Sequence, residues 1–239
     1  MLDRIEQTFE REKQFTSDAS HELRTPVAVI LSECEYMADC SLTAEEYREA
    51  ADSVKDQAEK MSRLINELLT ISRMERNTIK LDFEETDISE LLNFVCDEQE
   101  ELHNGSIILT RNIAPDISAY SDRLTIMRLF INLISNAYSY GKENGHINVS
   151  LDTDKNNIKV SVKDDGIGIS TENLPKIWER FYQADPARTS DRNGSSGLGL
   201  PIAKMIAALH HGNISVSSQI GKGSEFIFTF PSNMKKSAK

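Results

Sequence analysis

His21, Glu22 and Thr25 stand close together in Ser20-His21-Glu22-Leu23-Arg24-Thr25-Pro26. An imidazole with a carboxylate beside it is suited to nucleophilic attack on phosphorus, because the carboxylate can orient the ring or take its proton. Thr25, four residues on, shares the histidine's face if the segment is helical. A second set of residues suits a phosphate donor. In Asp164-Asp165-Gly166-Ile167-Gly168 the glycines let backbone approach a flat ligand, and a carboxylate there can accept from an exocyclic amine. Gly194 and Gly197-Leu198-Gly199-Leu200 lead into a helix, whose first N–H groups favour phosphate oxygens. Asn132, Asn136 and Tyr140 follow one another at four-residue steps on one helical face, where amide oxygens can join phosphate and water around Mg²⁺. Each set alone has a plainer reading: a surface histidine, a tight turn, a solvated polar face. Gly221 and Gly223 add a third glycine site, and the order of the sets is more specific than any one of them.

The elements that must position these groups change character once along the chain. From Ile5 to about Met74 there is no glycine, and Ile5, Phe9, Thr16, Ala19, Leu23, Ile30, Cys34 and Met37 step at helical intervals. Two residues past Ala19, at ~100° each, His21 turns away from that seam toward water. Pro26 cannot donate to the carbonyl of Glu22, so a kink is expected there. Thr43 with Glu46 fits a capping box that opens a second helix, with Tyr47, Val54, Met61, Ile65, Leu68 and Ile71 inward. A helical hairpin leaves its apolar stripe open to water, so pairing with a second copy as a four-helix bundle is expected. Beyond Arg76 the pattern is mixed. Strands are expected at 79–83, 107–111, 146–152, 157–163, 213–217 and 225–230, with helices at 87–102, 122–140 and 198–209. Residues 183–196 read as a mobile polar loop. The whole is α+β and multidomain: a dimerisation hairpin over 1–76, then an α/β sandwich over 77–239 with helices on one sheet face.

Composition narrows the partners. The 239 residues carry 27 Lys and Arg against 38 Asp and Glu, a net charge of -11 that repels nucleic-acid backbone. No uninterrupted apolar run exceeds five residues, too short to span a bilayer, so no membrane contact is expected of this chain. Cys34, Cys40 and Cys96 form no CxxC pair and suit reduced thiols in a cytoplasmic setting. Helical periodicity already running at Ile5 suggests a signalling helix entering from a membrane-anchored parent. His210 and His211 read as the C-terminal cap of the last helix.

Over nearly its whole length the sequence resembles the sensor histidine kinases of bacterial two-component systems. Residues 15–26 look like that family's H box, Asn132-Leu133-Ile134-Ser135-Asn136-Ala137 like its N box, and Asp164 to Gly168 like its first glycine box. Ile177-Trp178-Glu179-Arg180-Phe181-Tyr182 is similar to the F box, and Gly197 to Leu200 to the second glycine box. The resemblance implies a Bergerat-type ATP domain, also used by gyrase and mismatch-repair ATPases, which the H box sets apart. It implies His21 as phosphoacceptor, Glu22 as its acid/base partner and Thr25 as a water-positioning residue in phosphatase action. It further implies Mg-ATP contacts from Asn132 and Asn136, Asn136 being the metal ligand and Asn132 also catalytic. Asp164 falls in the place of the adenine-reading carboxylate, and Tyr140, Gly166, Gly168, Arg188, Gly197, Leu198, Gly199 and Leu200 complete the ATP site. The implied partners are a second copy, as a homodimer, and the receiver domain of a response regulator. Three positions depart from the family pattern: Ser139 and Gln183 stand where cations are common, and Ser195 where glycine is. Lys142, Arg188 and Arg192 are the nearest substitutes for the missing charge. The rival to a vigorous kinase is a regulator-binding phosphatase or scaffold that holds nucleotide.

Overall fold

The computed structural model describes residues 2–39, 41–76, 78–103, 107–154, 156–184 and 196–232, without the side chains of 2–9, 11 and 39. The side chains of Ile5 and Phe9, together with Cys40, Arg188, Arg192, Gly194, Ser195 and most of the expected 183–196 loop, therefore lie outside what is described. The chain divides into two compact units, Met1–Asn77 and Thr78–Lys239.

The first unit is a hairpin of α1 (Leu2–Asp39) and α2 (Ala44–Glu75). Thr43 caps α2: its hydroxyl accepts from Glu46 N–H at 3.3 Å, and the Glu46 carboxylate accepts from Thr43 N–H at 2.7 Å. Helix α1 runs without interruption through Pro26, which is buried. Ala50, Leu64, Ile71 and Met74 form the buried seam of α2. The inward positions read from the sequence divide: Ile71 is buried, Val54, Met61 and Leu68 are half-buried, and Cys34, Tyr47 and Ile65 are exposed. One helix has a single neighbour in a hairpin, so only part of a bundle-type stripe can be covered. Leu31 and Leu69 are likewise open to solvent, at 57% and 48% exposure.

The second unit is an α/β sandwich. Strand β1 (Phe83–Asp87) pairs antiparallel with β3 (Ser118–Asp122) in a small two-stranded sheet. The main sheet has the order β2-β4-β5-β7-β6, from β2 (Ile108–Ile113), β4 (His146–Asp154), β5 (Asn157–Asp164), β6 (Asn213–Gln219) and β7 (Gly223–Pro231). Its β2–β4 pair is parallel and the others are antiparallel. Alternation puts Ile147, Val149, Leu151, Ile158, Val160, Val162, Phe226, Phe228 and Phe230 on one buried face. Helices α3 (Ile88–His103), α4 (Arg123–Tyr140) and α5 (Gly199–Leu209) cover it. A 3-10 turn at Lys176–Trp178 contacts α5.

Two differences from the sequence reading have local causes. The first strand starts at Phe83 instead of ending there, because its partner is β3, which the sequence hides in Ser-Ala-Tyr-Ser-Asp. The pairing is pinned where Asp82 N–H donates to Asp122 Oδ2 at 2.7 Å, and the Phe83 ring stacks on Tyr120. His210 is the C-cap of α5, as the sequence suggested, but it is fully buried. Its Nδ1 lies 2.9 Å from the Ile206 carbonyl oxygen, and its Nε2 accepts from Asp122 N–H at 3.2 Å. Burial holds the His210 imidazolium pKa below its ordinary value, so this ring bolts the end of α5 to the start of α4 as a neutral group. Among the described residues no helix is long and apolar enough to cross a membrane.

Candidate active site

In the hairpin, His21 and Thr25 are exposed on α1 and Glu22 is half-buried. The geometry follows from helix periodicity. Pro26, seven residues or about two turns beyond the seam residue Ala19, is buried, while His21, two residues beyond Ala19, is exposed beside the half-buried Glu22. Ser20 turns its hydroxyl back to the Thr16 carbonyl at 2.8 Å, which leaves the His21 face to the imidazole.

In the sandwich, the other groups are held by three connected turns. Asp164 ends β5 and is 5% exposed. Its Oδ1 accepts from Gly166 N–H at 2.9 Å and Ser224 N–H at 3.2 Å, which leaves Oδ2 for another donor. Burial pushes this carboxyl above the ordinary range, against those two hydrogen bonds, and neighbouring Asp165 adds to the rise. Gly166 lies directly on the end of α4: a Cβ there would overlap the Tyr140 carbonyl oxygen, and Ile167 N–H donates to that oxygen at 3.2 Å. Gly168 and Gly223 have φ of +69° and +92°, and a Cβ on either would overlap backbone, of Gln219 and of Asp164 respectively. The third glycine site thus closes over the back of Asp164. Ser224, whose N–H does this, was not singled out from the sequence; its position one residue past Gly223 is the signal.

Asn132, Asn136 and Tyr140 are half-buried on α4, which begins at the Asp122 N-cap and ends at Gly141. Burial raises the Asp122 carboxyl, but donors from Thr125 and Asp82 outweigh it and hold the pKa below the ordinary value. The start of α5 reaches the same helix: a Cβ on Gly199 would stand 3.6 Å from Asn132 Oδ1. Leu198 is buried at the N-cap of α5, Leu200 is half-buried, and Gly197 has φ +68°. A Cβ on Gly197 would fall 2.7 Å from the Phe181 carbonyl carbon, while Phe181 N–H donates to Gly197 O at 3.1 Å. So the asparagine helix, the aspartate turn and the second glycine segment are tied to one another, whereas Arg188 lies outside the described residues. Lys142 does not stand free to replace a missing cation: its ammonium is 3.0 Å from Asp165 Oδ2. Ser139 donates to Ser135 O at 2.9 Å and supplies no charge.

The fit to Mg-nucleotide rests on one polar atom. Asn132 Nδ2 is buried without a hydrogen-bond partner among the described residues. An amide is interchangeable end for end, so this side chain has an unused donor or acceptor beside the α5 N-terminus. Among the described residues no three His, Cys, Asp or Glu side chains cluster as a metal cage. A cation here would take most of its shell from phosphate and water, as Mg²⁺ does.

The chain thus carries an exposed imidazole on a helical hairpin and, in a separate sandwich, glycine turns gathered around a buried carboxylate and an unpartnered amide. Residues 11–77 match the family model of the His Kinase A (phospho-acceptor) domain. Residues 121–234 match that of the histidine kinase-, DNA gyrase B-, and HSP90-like ATPases. The sensor histidine kinase RppB of Synechocystis sp. is 33% identical over 230 residues, covering 95% of this chain and 50% of that protein. Full-length ShkA in complex with AMPPNP has a TM-score of 0.68 at 25% identity, covering 92% of this chain and 45% of that one. Histidine kinase ThkA in complex with the response regulator protein TrrA has a TM-score of 0.67 at 24% identity, covering 96% of this chain and 66% of that one. The chain belongs to the sensor histidine kinases of two-component systems. It spans 36 to 50% of the length of the curated relatives it matches.

Proposed function

We propose that this chain is an ATP-dependent protein-histidine kinase whose phosphoacceptor is His21. The observation that carries the proposal is the pairing, on one chain, of an exposed His21 next to a half-buried Glu22 with a cradle that has an unused buried amide, Asn132, beside a helix N-terminus. An imidazole nitrogen of His21 attacks the γ-phosphorus, the N–P bond forms, and the bond from that phosphorus to the β,γ-bridging oxygen breaks as ADP leaves. Glu22 takes the ring proton. Asp164 Oδ2 accepts from the adenine amine, Gly166 and Gly168 let the base lie against backbone, and Gly197, Gly199 and Leu200 present N–H groups to phosphate oxygens, while Leu198, whose N–H donates to Ser196 Oγ, seats the segment at the N-cap. Tyr140 flanks the base-reading turn, and Arg188 is proposed as a phosphate contact. Asn136, with Asn132, would hold Mg²⁺, which when bound neutralises phosphate charge as it spreads in the transition state. The phosphoryl group then passes to an aspartate in a response-regulator receiver domain, the class of partner seen on ThkA. A second copy is proposed to cover the exposed Leu31, Ile65 and Leu69, which makes the working unit a homodimer. We further propose a domain boundary at 76/77 and a membrane-anchored parent.

A second reading is favoured by Ser139 and by the capture of Lys142 on Asp165. With those positions lacking free charge, the chain would act chiefly as a regulator-binding phosphatase that uses Thr25. The experiment is incubation with γ-labelled ATP and Mg²⁺. The kinase reading expects acid-labile label on the wild-type chain and none on His21→Gln. Tight ADP binding with no label on either would favour the second reading.

A further inference from the structure

Asp165 has no part in the function proposed above, yet it is among the most heavily bonded side chains in the sandwich. Its Oδ1 accepts from His146 N–H at 2.8 Å, and its Oδ2 lies 3.0 Å from Lys142 Nζ and 3.3 Å from His146 Nδ1. The backbone repeats the link, with Asp165 N–H donating to His146 O at 3.2 Å. Residues 141–145 form the turn that leaves α4, closed by Gly145 N–H on Lys142 O at 3.0 Å, with Asn144 at φ +56°. A Cβ on Gly145 would stand 2.6 Å from Asp165 Oδ1, so the turn is pressed onto this carboxylate. Asp165 therefore joins the end of the helix that carries Asn132 and Asn136 to the turn that carries Asp164.

It also places a second negative charge next to the buried Asp164. Because both N–H donors of Asp164 go to Oδ1, a proton taken up by that carboxyl sits on Oδ2. The one atom left to accept from an amine then becomes a donor facing a donor. Asp165 is the charged residue that acts on Asp164; Lys142 and His146 are the groups that face Asp165. Burial is the largest single influence on Asp165 and raises it, but the His146 and Lys142 contacts together outweigh it and hold its pKa below the ordinary value.

We propose that Asp165 is a positioning residue for adenine recognition: it fixes the base-reading turn to the asparagine helix, and Lys142 is its counter-charge, which lets two adjacent carboxylates serve as acceptors at once. The proposal rests on Asp164 being the base reader. It predicts opposite effects for the two partners. Removing Lys142 leaves Asp165 uncompensated and makes Asp164 easier to protonate. Removing the charge of Asp165 makes Asp164 harder to protonate.

The test is ADP binding by isothermal titration calorimetry from pH 5 to 8, in wild type, Lys142→Met, Asp165→Asn and the double variant. The titration of ADP itself is common to all four, and His146→Gln serves as a control for that ring. At the acid end, Lys142→Met should lose more of its own pH 8 affinity than wild type does, because Asp165 then faces Asp164 without its counter-charge. Asp165→Asn should retain more of its pH 8 affinity than wild type, and the double variant should follow Asp165→Asn. Profiles that move the same way, or that keep the wild-type shape with a uniform loss, would overturn the proposal. Lys142 is more than half exposed, so its variant alone decides the sign should Asp165→Asn fail to fold. Asp164→Asn separates the two layers. If it binds ADP like wild type, the base-reading assignment itself is wrong; if it loses binding while the other profiles do not move, only the present inference is.

Discussion

Gly166→Ala isolates the contact that brings the base-reading turn to the end of the asparagine helix. Gly166 is not at positive φ, so the backbone tolerates alanine and the whole effect is spatial. The new Cβ would overlap the Tyr140 carbonyl oxygen and stand 2.9 Å from both Asp164 Oδ1 and the Tyr140 carbonyl carbon. Relief requires the turn to move off α4. That movement stretches Ile167 N–H from Tyr140 O and withdraws Gly166 N–H from Asp164 Oδ1. A neutral hydrogen bond is worth about 1 kcal/mol net and one to a charged group about 1.5 to 3 kcal/mol. The sum is about 3 kcal/mol, which as lost ADP affinity is on the order of 100-fold. Gly221→Ala is the matched opposite: φ is +76° but nothing lies within 4 Å of the added Cβ. It should cost about 1 to 2 kcal/mol of unfolding free energy through backbone strain alone and leave ADP affinity within about threefold. Calorimetry with ADP and urea unfolding on all three chains read the two quantities separately. A Gly166→Ala chain that binds ADP within twofold of wild type would refute the claim that this close approach shapes the site.

Three further outcomes follow from the same contacts. Thr43→Ala removes the hydroxyl that accepts from Glu46 N–H, while the backbone N–H at position 43 keeps the Glu46 carboxylate, and should cost about 1 kcal/mol of hairpin stability, read from urea midpoints. Because the folded-state pKa of His210 is depressed below its ordinary 6.5, its contribution to stability is fully present above pH 6.5 and is lost as pH falls toward the folded value. The urea midpoint should therefore drop between about pH 7 and 5, and His210→Leu should flatten that slope while lowering the neutral midpoint, since Asp122 N–H loses its acceptor. Leu31→Glu with Leu69→Glu places charge on exposed apolar positions of the hairpin; light scattering should report a dimer for the wild type and a monomer for the double variant.

What the sequence made readable was whatever had a local signature. The Thr43–Glu46 box, the four-residue steps of Asn132, Asn136 and Tyr140, and the glycines beside Asp164 each declare themselves within a few residues. Their roles follow from short-range rules of helices and turns. Strand β3 did not declare itself, because Ser-Ala-Tyr-Ser-Asp has little apolar alternation and is held by tertiary partners: the Asp122 carboxylate at Asp82 N–H and the buried His210 ring. For the same reason the alternation at 79–83 places the first strand four residues before its observed start at Phe83. His210 could be read as a helix end but not as a buried bolt, since the Asp122 backbone it meets is 88 residues away. Lys142 looked like spare positive charge in the sequence; its partner Asp165 lies across a turn that only folding brings together.

In the proposed reaction a phosphoryl group passes from nucleotide to the imidazole of His21. Peptide mapping by mass spectrometry, under alkaline conditions that preserve phosphohistidine, measures this directly after incubation with ATP and Mg²⁺. One phosphoryl group is expected on the peptide that contains His21, lost on mild acid. A phosphoryl group on any other residue, or none at all with nucleotide demonstrably bound, would contradict that transfer.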